Sequence, residues 1–252
     1  ALTDTSDRLG DIDTTPTLAL GLDQPFPGYA PLPNVRQELD AVVKTDDGDA
    51  LGIYPGQVFL NNDFTFDTLS QQVRRHRILH IATHAEFRPH TQGESYILSG
   101  QGEQLAIAKI GSLDTQFNNL HLVVLSACQT ALGGEALDGT EIAGVSSYFL
   151  GPNKAEAVLA TLWRVNDAGI SVLMQRFYEL LATGQLTKAE ALRQAQLSLL
   201  QGEEDIAERL EAVGSGDIER GSLVPITPSD LEDPTLSHPY YWAPFILIGN
   251  GL

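Results

Sequence analysis

The sequence is short of cysteine, since Cys128 is the only one in 252 residues. A single thiol excludes an internal disulfide, and chains without disulfides are typical of a reducing compartment. Long apolar runs are also missing. None approaches the roughly 20 residues that a membrane span needs, and no signal-peptide pattern opens the chain. We therefore expect a cytoplasmic protein with no membrane partner.

Basic residues are scarce as well. The chain has 15 Lys and Arg against 33 Asp and Glu, which gives a formal net charge of −18. Nucleic acids and anionic membranes are bound by clustered cations, so neither is an expected partner. The acidic balance is compatible with a basic peptide, although acidity on its own also serves solubility.

What the sequence does contain is typical of a globular protein, with 42% hydrophobic and 19% charged residues. Residues 1–16 are polar and show no apolar period, which predicts a linker or a terminal arm. Residues 17–252 are near the upper limit for one domain, and we expect a single domain there. The chain begins with Ala where a complete protein begins with Met, which indicates a piece of a longer protein.

Apolar runs alternate with segments of helical spacing along the chain. The runs predict strands at 17–21, 51–60, 78–83, 95–98, 122–127, 157–163 and 242–248. Helical spacing predicts helices at 34–44, 64–76, 105–113, 140–150, 170–182 and 186–200. The prolines between Pro25 and Pro33 predict a loop, and the acidic stretch 201–236 predicts a longer one. The alternation indicates an α/β fold with a mostly parallel sheet of about six strands covered on both faces.

Three polar side chains follow predicted strands of this sheet. His84 follows the strand at 78–83, Cys128 follows the strand at 122–127, and Asp167 follows the strand at 157–163. Ligands of parallel sheets bind where the carboxyl ends of the strands meet, and adjacent strands lie about 4.8 Å apart. We therefore expect His84 and Cys128 to lie close enough for the imidazole to take the thiol proton and later to protonate a leaving amine.

Five segments, in this order, resemble the CHAT domain family. They are Ile78-Leu-His-Ile-Ala-Thr-His84, Leu122-Val-Val-Leu-Ser-Ala-Cys-Gln-Thr130, Ala160-Thr-Leu-Trp-Arg-Val-Asn-Asp167, Phe177-Tyr-Glu-Leu180 and Tyr241-Trp-Ala-Pro-Phe-Ile-Leu-Ile-Gly249. CHAT domains are caspase-like peptidase domains, related to separase and often found beside tetratricopeptide repeats in bacteria. The resemblance covers roughly residues 17–250 and implies a caspase-like α/β/α sandwich. It also implies adjoining repeat domains in a longer chain.

The resemblance further implies a Cys–His dyad, in which Cys128 matches the nucleophile and His84 the general base. The backbone N–H groups of Cys128 and Ala85 would then form the oxyanion hole. The family usually has Gly where this chain has Ala85, and Ala would hinder the turn if a positive φ were required. The separase-like segment implies that Asp167 lines the S1 pocket and accepts a basic P1 residue, although Asp167 could instead be the N-cap of the following helix.

We therefore predict a cysteine endopeptidase that cleaves peptides or proteins after Arg or Lys and needs no cofactor. The alternative is an inactive CHAT-like binding or scaffold module, which Ala85 keeps open; a hydrolase of small molecules is a weaker possibility. A lone Cys after an apolar strand is commonly a small buried hydrophobe, and only its partners favour catalysis. His80 and His84 have the i, i+4 spacing of a helical metal pair, but their segment is strand-like. We thus expect no metal, and a core position for His80.

Overall fold

The part of the chain that the computed structural model describes forms a central sheet of seven strands. The described residues are 9, 11–87, 94–113, 116–126, 129–130, 140–152, 154–163, 165, 167–202 and 236–252. The strands, in chain order, are β1 Thr17–Gly21, β2 Val43–Lys44, β3 Tyr54–Leu60, β4 Ile78–Ala82, β5 Ala85–Phe87, β6 Tyr96–Leu98, β7 Gln104–Ala106, β8 Leu122–Ser126, β9 Gln129–Thr130, β10 Ala157–Thr161 and β11 Phe245–Gly249.

Helices connect these strands and cover the sheet. They are α1 Val35–Val42, α2 Phe66–Gln72, α3 Ile107–Gly111, α4 Thr140–Phe149, α5 Asp167–Ala182, α6 Lys188–Gln201 and α7 Pro239–Trp242. Short 3-10 turns lie at Ile12–Thr14, Asn61–Asp63 and Val73–Arg75. Among the described helices, none is long and apolar enough to cross a bilayer.

The strand order of the central sheet is β11-β10-β8-β4-β1-β3-β2. All neighbours are parallel except β10 and β11, which are antiparallel. Strands β1, β4, β8 and β10 are buried at every residue, which explains their unbroken apolar runs. The predicted α/β fold with a mostly parallel sheet is confirmed.

Two hydrophobic cores lie on the two faces of this sheet. Alternate residues of β8 point to opposite faces, so Leu122 and Val124 join one core while Val123 and Leu125 join the other. The first core includes buried side chains of α1, α5 and α6, and the second includes those of α2, α3 and α4. The layers are therefore those of a caspase-like α/β/α sandwich.

Several short elements differ from the prediction. Residues 43–44 were expected in a helix but form β2, which brings the central sheet to seven strands where about six were expected. Residues 105–106 were expected to begin a helix but belong to β7, and β7-β6-β5-β9 make a second sheet of four strands. Strand β6 lies within the strand predicted at 95–98. Strands β2, β5, β7 and β9 have two or three residues, too few to show an alternating period, and the sequence did not indicate them.

The starts of one helix and one strand also differ from the prediction. Helix α5 begins at Asp167, three residues before the predicted start. Its first turn contains Ala168 and Gly169 and lacks large apolar side chains, so the apolar pattern of the sequence did not indicate that turn. The predicted strand at 242–248 begins only at Phe245, since Trp242 ends α7. The predicted long loop at 201–236 lies almost wholly outside the described residues, as does most of the predicted N-terminal arm, although Leu9 is buried in the first core.

Candidate functional site

The strands that lead to the three predicted site residues are neighbours. Strand β8 lies between β4 and β10 and is parallel to both. Ser126, the last residue of β8, pairs with Ala82, the last residue of β4, and Leu125 pairs with Ala160 of β10. The carboxyl ends of the three strands therefore meet at one edge of the sheet.

The chain segments beyond β4 and β8 pair a second time. Strands β5 and β9 are parallel, with Glu86 opposite Gln129 and Phe87 opposite Thr130. His84 lies between the two pairings on its own chain. Cys128 comes between Ser126 and Gln129 in the sequence, but it lies outside the described residues.

His84 is buried, with 6% of its surface exposed. Its Nε2 lies 2.8 Å from the carbonyl oxygen of Ala30, which belongs to the predicted proline-rich loop. A carbonyl oxygen only accepts hydrogen bonds, so Nε2 carries a proton and donates it to Ala30. In the neutral ring Nδ1 is then the basic nitrogen.

The backbone around His84 is fixed by β6. The N–H of Leu98 donates to the carbonyl of His84 at 2.8 Å. The Thr83 hydroxyl donates to the carbonyl of Leu98 at 2.7 Å and is itself buried. These two bonds join the N–H and the C=O of Leu98 to His84 and Thr83, so His84 leaves β4 in a defined direction.

Ala85, the predicted oxyanion residue, is the buried first residue of β5 and lies opposite Ile97. Antiparallel pairs alternate between bonded and non-bonded residues, and His84 with Leu98 is a bonded pair. The N–H and C=O of Ala85 therefore point away from β6, toward the side of β9. The described non-glycine residues with positive φ are Asn61 and Leu236, so the backbone of Ala85 does not require glycine.

Asp167 begins α5 at the same edge of the sheet. Its Oδ2 accepts a hydrogen bond of 2.8 Å from the N–H of Asn34, the residue that precedes α1. Burial raises the pKa of Asp167 to about 7, the nearby negative charge of Glu38 adds to this rise, and the Asn34 bond opposes it. The carboxyl thus joins the starts of two helices, and it titrates near neutral pH.

A comparison with protein families shows the family to which the chain belongs. The family model of the CHAT domain matches residues 2–250, nearly the whole chain. The chain belongs to the CHAT domain family. The resemblance seen in the sequence is confirmed, and membership in this caspase-like protease family supports a cysteine peptidase at the level of the family. A search of curated proteins finds no match.

A cluster of buried polar side chains lies around His80 of β4 in this CHAT domain. His80 donates or accepts through both ring nitrogens, with Nε2 2.9 Å from Glu38 Oε1 and Nδ1 3.0 Å from the Tyr178 hydroxyl. All three side chains are at most 1% exposed. His80 is therefore a core residue with two partners, as expected. In the described part of the chain, no group of three His, Cys, Asp or Glu side chains is placed to hold a metal.

The sequence did not reveal a second set of polar contacts, which surrounds His84 in the CHAT domain. The ring of Tyr29 lies 5.0 Å from the His84 ring, centroid to centroid. The Tyr29 and Tyr96 hydroxyls are 2.8 Å apart, and Tyr96 donates to Glu86 Oε2 at 2.7 Å. Tyr29 comes from a loop, Glu86 from a strand of three residues that the sequence did not indicate, and Tyr96 from the strand predicted at 95–98. No sequence pattern indicated that these three side chains meet.

Proposed function

We propose that this CHAT domain is a cysteine endopeptidase in which Cys128 is the nucleophile and His84 the general acid and base. The observation that carries the proposal is the pairing of the two chain segments on either side of these residues. Ala82 pairs with Ser126 before them, and Glu86 pairs with Gln129 after them. Neighbouring strands lie about 4.8 Å apart, a separation that a thiol and an imidazole can bridge.

The tautomer of His84 supports the proposed chemistry. Because Nε2 donates to the Ala30 carbonyl, Nδ1 is the nitrogen that can take the Cys128 thiol proton. The thiolate then attacks the scissile carbonyl and forms a tetrahedral intermediate. Collapse of this intermediate breaks the C–N bond, and the imidazolium returns the proton to the leaving amine. Water, activated by the same imidazole, hydrolyses the thioester and restores the thiol.

The oxyanion of that intermediate requires N–H donors, and we assign this role to Cys128 and Ala85. The Ala85 N–H supports the assignment because it points away from β6, toward the side where β9 pairs with β5. Preorganised N–H donors of this kind typically contribute about 2.7 to 4 kcal/mol to a transition state.

We assign the preference for a basic P1 residue to Asp167. Its position beyond β10 supports this assignment, because β10 is the neighbour of β8. Its Oδ2 already accepts from Asn34, so a P1 guanidinium or ammonium would be shared with that N–H. A cation beside the carboxyl favours its ionised form, so binding of a basic residue would release a proton from Asp167.

The rest of the proposal follows from the chemistry. A thiolate nucleophile must stay reduced, which fits a cytoplasmic location. Basic peptide segments are the expected substrates of a chain with a net charge of −18. Repeat domains of a longer chain are the expected neighbours, as the family resemblance implies.

The alternative function, an inactive binding module, has less support than the peptidase. Its basis was Ala85 in place of Gly, and the strand conformation of Ala85 needs no glycine. No observation favours the hydrolysis of small molecules over that of peptides.

The test is hydrolysis of fluorogenic peptides with Arg or Lys at P1 by the full chain, compared with Cys128→Ala. We expect wild type to cleave and Cys128→Ala to lose the activity. Alkylation of Cys128 by iodoacetamide across pH provides a second readout, since a thiol beside a histidine reacts at lower pH than a free cysteine. Failure to cleave a broad peptide panel, together with the reactivity of a free cysteine, would contradict the proposal and favour a binding module.

A further inference from the structure

The loop that supplies the carbonyl for His84 is exposed to solvent at most positions between Gln24 and Pro31. It connects β1 to α1, and Gln24, Pro25, Pro27, Gly28, Ala30 and Pro31 within it are exposed. A short pairing between Phe26 and Tyr29 closes its tip. An exposed loop positions a catalytic group only if something attaches it to the body of the protein, because loops are the more mobile parts of a fold.

The Tyr29 side chain provides such an attachment. Its hydroxyl lies 2.8 Å from that of Tyr96 on β6, and Tyr96 donates to the Glu86 carboxylate on β5. Tyr96 has one hydroxyl proton and gives it to Glu86, so its oxygen accepts the proton of Tyr29. The hydrogen-bonded chain therefore runs in one direction, from Tyr29 through Tyr96 to Glu86.

The second sheet holds the far end of this chain in place. Glu86 and Tyr96 lie directly opposite each other in the antiparallel pair of β5 and β6, so their side chains emerge on the same face. Burial and its bonds to Tyr29 and Glu86 raise the pKa of Tyr96, which keeps its hydroxyl protonated and able to donate. Glu86 follows His84 by two residues in the sequence. The hydrogen-bonded chain therefore starts at Tyr29, beside the His84 ring, and ends on β5, the strand that follows His84.

The near end of the chain contacts His84 twice. The Tyr29 ring lies against the imidazole at a tilt of 42°, and the next residue, Ala30, accepts from Nε2. Movement of Tyr29 would displace both contacts, and the ring would then turn Nδ1 away from its proposed target.

We infer that Tyr29, Tyr96 and Glu86 are positioning residues, which hold the Ala30 carbonyl and thereby the orientation and tautomer of the His84 imidazole. The inference rests on the proposed peptidase function for its catalytic consequence. Its structural part, the protection of the Nε2 proton by Ala30, is independent of that function.

The test compares Tyr96→Phe with Tyr148→Phe in the full chain. Tyr96→Phe keeps the aromatic ring and removes only the linking hydroxyl. The control removes a hydroxyl from a half-buried tyrosine of α4 that does not belong to the hydrogen-bonded chain. We expect Tyr96→Phe to lower kcat roughly 10-fold with KM within twofold, because a small misplacement of a catalytic group is costly. Tyr148→Phe should keep the wild-type kcat.

The second readout does not depend on activity. In a ¹⁵N-labelled sample, the Nε2–H resonance of His84 is assigned by its loss in His84→Gln. Tyr96→Phe should speed the exchange of this proton with water roughly 10-fold, since its hydrogen bond to Ala30 opens more often. Glu86→Gln retains a carbonyl oxygen as acceptor and should keep slow exchange, whereas Glu86→Ala should behave as Tyr96→Phe.

The outcomes separate the two proposals. If wild type cleaves no peptide but Tyr96→Phe still speeds exchange of the His84 proton, the positioning inference stands and the peptidase proposal fails. If wild type is active and Tyr96→Phe matches Tyr148→Phe in both kcat and proton exchange, the positioning inference is overturned.

Discussion

The same three strands have ionisable groups at both ends, and the two ends differ in kind. Arg77, His121 and Glu156 immediately precede β4, β8 and β10. With Lys188 they form what we name the amino-edge cluster. Arg77 hydrogen-bonds His121 Nε2, while His121 Nδ1 lies 3.0 Å and Lys188 Nζ 3.6 Å from the Glu156 carboxylate. The carboxyl ends lead instead to His84, Cys128 and Asp167.

The difference shows what separates a structural histidine from a candidate catalytic one. Arg77 only donates, so His121 Nε2 accepts, and the proton of the neutral ring is on Nδ1, which lies 3.0 Å from Glu156 Oε1. A second proton on this ring would bring a new cation against the Arg77 guanidinium. His84 has a neutral carbonyl at Nε2, which accepts a hydrogen bond from either a neutral or a charged imidazole. A proton can therefore be added to His84 without disrupting the contact that orients it.

The largest expected effect is the loss of peptide hydrolysis in His84→Ala, and its absence would contradict the comparison of the two ends. His84→Ala should lower kcat/KM for peptide hydrolysis about 10² to 10⁴-fold, the range that a general acid and base supplies. His121→Ala should leave kcat unchanged and lower the free energy of unfolding by about 1 to 3 kcal/mol, because polar groups of Arg77 and Glu156 lose a buried partner.

Peptide hydrolysis and urea unfolding of both variants check this prediction. The pair of variants is its own control, since each removes an imidazole from an end of adjacent strands. Loss of activity in both variants, or of stability in His84→Ala alone, would show that the two ends do not divide the roles in this way.

How well the sequence predicted the ends of these strands depends on the length of the secondary-structure elements concerned. The buried strands β4, β8 and β10 are long enough for their apolar runs to be recognised, so the sequence predicted that their carboxyl ends share one edge, as the parallel pairing shows. Cys128 lies outside the described residues, and its place beside His84 stays a prediction. The second sheet did not follow: β6 was predicted as the strand at 95–98, but its partners β5, β7 and β9 have two or three residues and show no readable pattern. The contacts that orient His84 join residues 54 and 67 positions apart in the chain, and no local pattern encodes such a meeting.

The next effect sharpens the comparison at Asp167. Its pKa of about 7 means that the ionised fraction rises roughly tenfold between pH 6 and pH 8. If Asp167 binds a basic P1 residue, the preference for Arg over the neutral isostere citrulline at P1 should increase over this interval. The ratio of the two kcat/KM values removes the titration of the dyad, which affects both substrates alike.

Asp167→Asn should show a low ratio that does not change with pH. The raised pKa also has a consequence for stability. The folded state holds this proton more tightly than the unfolded chain, so wild type should lose stability relative to Asp167→Asn as pH rises from about 4 to 7. A constant preference ratio combined with this stability trend would assign Asp167 to joining α1 and α5, and would remove it from the S1 pocket.

The smallest effect concerns the helix that supplies Lys188 to the amino-edge cluster. The Thr187 hydroxyl accepts from the N–H of Glu190 at 3.2 Å and caps the start of α6, as the sequence predicted. Thr187→Ala should cost about 1 kcal/mol of stability in urea unfolding, because that N–H loses its acceptor. Thr187→Ser keeps the hydroxyl and should match wild type. Neither change should alter kcat, since α6 begins at the end of the sheet opposite His84; a loss of activity in Thr187→Ala at temperatures where it stays folded would mean that the two ends are coupled.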